Sequence, residues 1–138
     1  MDINQQADTL KDYLKTQRPE WVVTRNLNLF NDPAIGHQPV ISIIVGSGRA
    51  MGNGSFAMPT PNDVTVMVLA QQNLRCATND TAQIEQIELN LRAQLIAALD
   101  SPELPPDICG TIVKNWSASG QQNKERAEIF FTLSMREF

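Results

Sequence analysis

Gly46, Gly48 and Gly52 follow the β-branched run Val40-Ile-Ser-Ile-Ile-Val45, a spacing superficially like that of a dinucleotide-binding turn. That chemistry holds a pyrophosphate against the N–H groups of a helix starting in the turn. Asn53-Gly54 and Pro59-Thr-Pro61 forbid such a helix, and no Gly-Lys-Ser/Thr is present to grip a triphosphate. His37, the only histidine, lies in a polar loop with no cysteine or carboxylate at ligand spacing, which argues against zinc. Nucleophilic catalysis would need His37 beside Ser42, Ser47 or a thiol, and no spacing brings them together. Glu85 and Glu88, one helical turn apart, have the form of an acid/base pair, but on the polar face of a helix such residues are simply solvating charges. Phe130 beside Lys124 and Arg126 is a thin version of an RNA-stacking sheet, and burial under a helix or in a subunit contact accounts for Phe130 better. The expectation is no enzyme, no catalytic residue, no cofactor and no metal site.

The elements that would position these residues centre on Asp63–Leu99. Val64, Val66, Val68 and Ala70 alternate with Asp63, Thr65, Met67 and Leu69, which predicts a central strand with apolar residues on both faces. A polar loop follows, then Asp80-Thr-Ala-Gln83 as the cap of a long helix. Ile84, Ile87, Leu91, Leu95, Ala98 and Leu99 form the stripe that lies on a sheet, with Glu85, Gln86, Glu88, Asn90 and Arg92 opposite. Residues 3–17 predict a first amphipathic helix carrying Ile3, Ala7, Leu10 and Leu14, stopped by Arg18-Pro19. Strands are expected at Trp21–Arg25, extending as far as Leu29, at Val40–Val45, at Thr111–Trp116 and at Arg126–Met135. Trp21 reads as a core anchor. Asn31-Asp32-Pro33 and Gly36 mark a turn, Asp100–Pro106 a stiff proline-rich connector, and 117–125 a polar turn.

The chain has 138 residues, 42% hydrophobic and 19% charged, values that fit one globular α+β domain of residues 1–138. A net charge of −4 and scattered basic residues argue against non-specific nucleic-acid or anionic-membrane binding, which needs clustered Lys and Arg. No apolar run approaches a membrane span, and the start Met-Asp-Ile-Asn lacks the basic residues of a signal peptide. Cys76 and Cys109, far apart in sequence, read as reduced, partly buried thiols of a cytosolic protein.

The segment Gly46–Pro61 has four glycines and two prolines in sixteen residues. A loop of this length between strands is uncommon in compact domains and is usually functional or disordered. It reads as a long glycine-rich β-hairpin whose tip presents Arg49, Met51, Phe56 and Met58, apolar side chains whose exposure suggests a partner surface. A floppy loop with incidental side chains is the plainer alternative. A small-ligand or nucleotide-binding module using the 46–54 glycine-rich loop is the functional one.

The order helix, strand, strand, long hairpin, strand, helix and two C-terminal strands resembles the tail-terminator (tail-completion, minor tail protein U-like) family of long-tailed phages and prophages. The residues carrying the likeness are Gln38-Pro-Val-Ile-Ser-Ile-Ile-Val45 before the hairpin, Asp63–Ala70 leading into the helix, Ile112–Trp116, and Ala127–Arg136 at the end. The resemblance implies a mainly antiparallel or mixed sheet of four to five strands with two helices packed against it. It implies a structural protein of virion assembly: a hexameric ring that caps the tail tube, stops its elongation and offers a surface for head joining. The implied partners are other copies of the chain, the tail tube protein and a head-completion or connector protein, with no membrane and no specific nucleic acid. The implied location is the cytoplasm of a bacterial host during assembly, then the virion tail. The 46–62 loop and the 117–125 turn are the expected contact regions, with Arg49, Met51, Phe56, Met58 and Lys124 chosen from local chemistry rather than from a family motif.

Overall fold

A 12-residue strand, Asn62–Asn73, occupies the middle of a five-stranded sheet. With elements numbered along the chain, this is β3, and the others are β1 (Val22–Thr24), β2 (Val40–Arg49), β4 (Ile112–Ala118) and β5 (Arg126–Glu137). The spatial order is β1-β2-β3-β5-β4. Two helices complete the fold, α1 (Ile3–Gln17) and α2 (Thr81–Leu99). The computed structural model describes residues 2–27, 35–49, 62–74, 81–118 and 126–137. The sheet is mixed: β1 runs parallel to β2, and every other pairing is antiparallel. The architecture is α+β, with two helices on a five-stranded sheet, as the alternation and helical spacing predict.

Directly paired residues share a face, so register defines the two sides of the sheet. Ile41, Ile43 and Val45 pair with Ala70, Val68 and Val66, and these with Ile129, Phe131 and Leu133. This face is the core. Leu10 and Leu14 of α1 and Leu91, Leu95 and Leu99 of α2 pack in the same cluster, so both helices cover one side. Burying a side chain such as Phe131 here is worth about 1.5–3 kcal/mol relative to leaving it exposed. α1 lies over β1 and β2, and α2 over β5 and β4. On the opposite face Ile35 packs against Val40 and Val22. The neighbouring Ile44, Met67, Leu69 and Phe130 of that side are half-buried.

α1 is delimited by local chemistry. Asp2 accepts from the Gln5 N–H at 2.8 Å while the Gln5 side chain accepts from the Asp2 N–H at 3.1 Å, a reciprocal cap. At the other end the Arg18 N–H reaches Leu14 C=O, and Pro19 forbids another turn. Its buried stripe includes Gln6 and Tyr13 besides the expected Ala7, Leu10 and Leu14. The Gln6 amide donates to the carbonyls of Asp107 and Arg136, both at 2.8 Å, tying α1 to a 3-10 turn (Pro106–Ile108) and to the end of β5. Tyr13 O–H donates to Ala98 C=O and joins the two helices.

Several expectations shift. β1 is only three residues long, although Trp21 before it is buried as expected. β3 and β5 run past their expected ends, and β4 continues through Ser117 and Ala118, which were expected in a turn. Phe130 does not lie under a helix: its pairing with Leu69 puts it on the other face, and Phe131 takes the core position. Cys109 is exposed rather than partly buried, because it follows the 3-10 turn on the outer connector, next to Gly110 at φ 86°.

Candidate interaction surface

Arg49 is the last residue of β2, paired in register with Asp63. The Arg49 side chain, Met51, Phe56, Met58 and Lys124 all lie outside the described residues, as do the hairpin tip, Cys76, the turn at Asn31–Pro33 and the Asp80 cap. Gly46 and Gly48 belong to β2, within a ladder to β3 that has one register shift between Val45 and Ser47. That shift seats Gly46 under Met67, where an added Cβ would come to 3.0 Å of the Met67 methyl. His37 is exposed, with Nδ1 3.3 Å from Asn73 C=O.

Glu85 and Glu88 part company. Glu85 is exposed, but Glu88 is 1% exposed, which corrects the expectation of a solvated charge. Its Oε2 accepts the N–H of Glu128 at 2.9 Å, so the carboxylate is held against the backbone of β5. Beside it Glu128 forms an ion pair with Arg126 at 2.6 Å and accepts from the Gln71 amide at 3.3 Å. This group of side chains ties α2, β3 and β5 together and has the character of a structural network.

A shallow cleft of about 240 Å³ opens where α2 faces the start of β1 and β2, lined by Trp21, Pro39, Gln72, Ile87, Asn90 and Gln94 among others. Its walls are amides and apolar groups with one carboxylate, Glu20. Nothing there has the nucleophile-and-base arrangement that catalysis requires.

The surface with the strongest claim to a partner is the β4 flank. Among the described residues four large hydrophobics stand out in solvent: Leu27 (47%), Leu89 (37%), Ile112 (54%) and Trp116 (39%). Leu27 follows β1, one edge of the sheet. Ile112 and Trp116 lie on β4, the other edge, and Leu89 lies on α2, which packs over β5 and β4. Simple alternation would put Ile112 and Trp116 on the same face. A register shift between Val113 and Asn115 absorbs Lys114, so Ile112 pairs with Ser134 on the open face while Trp116 pairs with Phe131 on the helix face. The bulge therefore aims Trp116 at α2. There Arg92 lies over its ring, 4.7 Å from the centroid.

Neither Arg92 nor Trp116 was singled out by spacing. Arg92 belongs to an ordinary polar helix face, and Trp116 acquires its direction only from the bulge. Compared with models of known protein families, the chain matches none. No curated protein is significantly similar to it in sequence either.

Proposed function

We propose that this chain is a structural assembly subunit, a tail-terminator-like protein of a phage or prophage that forms a ring on the tail tube. In this reading it stops tube elongation and provides the surface for head joining, without catalysis. The observation that carries the reading is the placement of exposed apolar side chains at the two opposite edges of one sheet, Leu27 beyond β1 and Ile112 and Trp116 on β4. A closed ring is built from heterologous contacts, in which one patch of a subunit meets a different patch of the next. Large apolar groups left in water at two separate edges fit that requirement, whereas a single patch would suit a two-fold dimer. The order of elements, with β2 and β3 paired as far as Arg49↔Asp63 on either side of 50–61, agrees with the family resemblance.

The experiment is to add the purified chain to tail tube protein during polymerisation and image the tubes. A terminator gives shorter tubes bearing extra density at one end, in proportion to the protein added. Tubes of unchanged length with bare ends would overturn the reading.

A further inference from the structure

We infer that the Arg92–Trp116 pair is the anchor by which one copy of this chain grips the next, and that it docks on the acidic connector 100–111 of the neighbouring copy. The inference rests on the ring-forming reading above and makes the connector, in place of the Leu27 edge, the counterpart of the β4 flank. Among the described residues Arg92 forms no ion pair, and its Nε is buried without a hydrogen-bond partner. One face of the guanidinium is occupied by the Trp116 ring and Nε is buried, so the terminal Nη groups are the ones suited to a carboxylate. Lys114, exposed one bulge away, adds a second positive charge, and β4 carries no acid. Exposed Leu89, one turn before Arg92 on α2, gives the patch an apolar rim. Stacked Arg and Trp with apolar neighbours is the composition of an interface hot spot.

The complementary surface is on the same molecule. Residues 100–111 contain Asp100, Glu103 and Asp107 and no basic residue, and all three acids are exposed. The connector runs from the end of α2 to the start of β4, and pairing it head-to-tail with the patch formed by the middle of those two elements propagates from copy to copy. In a chain of net charge −4, this local reversal of sign also sets the orientation of approach.

The test uses two full-length variants, Arg92→Glu and the triple change D100K/E103K/D107K, assayed for assembly by sedimentation and negative-stain imaging with tail tubes present. Each variant alone is expected to raise the subunit concentration for half-assembly about tenfold or more. An equimolar mixture is expected to regain assembly, because alternating subunits restore opposite charges at every contact. Arg92→Gln, which removes the charge alone, serves if R92E fails to melt like the parent protein. Rings from R92E and R92Q at the parent concentration, or no recovery in the mixture, would overturn this interface and leave the ring itself standing. A parent chain that never assembles, with or without tubes, would instead remove the ring reading and this interface with it.

Discussion

Glu88 illustrates how much one side chain can do without being catalytic. Its carboxylate takes the N–H of Glu128 on β5, in a position almost closed to water. A buried donor left without a partner costs its full desolvation, and hydrogen bonds to charged groups are the stronger kind. Glu88→Leu is therefore expected to lower unfolding stability by about 1.5–3 kcal/mol, and Glu88→Gln, which keeps an acceptor oxygen, by roughly half as much. Urea denaturation of the two variants checks this. Equal stability of Glu88→Leu and the parent would show that the N–H is satisfied otherwise. Helical spacing put Glu88 among the solvated positions because period alone cannot see that a backbone N–H of β5 takes this carboxylate as its acceptor. Gln6 eluded the apolar stripe of α1 for a related reason: its amide is buried to serve two carbonyls 101 and 130 residues away.

At the scale of elements, the bulge in β4 decides which side chains face α2. Lys114 is the extra residue, and the ladder on either side of it is regular. Deleting Lys114 should therefore join Val113↔Leu133 directly to Asn115↔Thr132 and leave Trp116 opposite Phe131, with stability within about 1 kcal/mol of the parent. Tryptophan fluorescence and a thermal melt would report this. A Trp116 signal moved to full solvent exposure would contradict the assigned register. Both helices, four of the five strands and the core stripe were legible, because period-two and period-3.6 patterns there coincide with burial. β1 was overextended, since its parallel pairing to β2 lasts only three residues and Trp21 is buried without belonging to the strand. The faces of Trp116 and Phe130 were not legible, because they depend on register between strands far apart in sequence. The surface chosen from sequence, around Met51, Phe56 and Lys124, lies outside the described residues, and the surface offered instead came from geometry.

Taken whole, the molecule has one sheet face under two helices and two differently equipped edges. The β1 edge is short and carries Leu27 beside the Arg25–Asp8 ion pair at 3.2 Å. The β4 edge is longer and carries Ile112 and Trp116, with Arg92 of α2 stacked on the Trp116 ring. Unequal surfaces of this kind favour progressive association, which ends either in a closed ring or in an open filament. Closure distinguishes a terminator from a tube protein, and the stoichiometry of the assembly reports it. The most direct measurement is native mass over a concentration series, with and without tail tubes, joined to negative-stain imaging of the large species. The proposed ring requires a discrete hexamer seen as rings, forming as concentration rises or when tubes are supplied. A chain that stays monomeric under both conditions would contradict it.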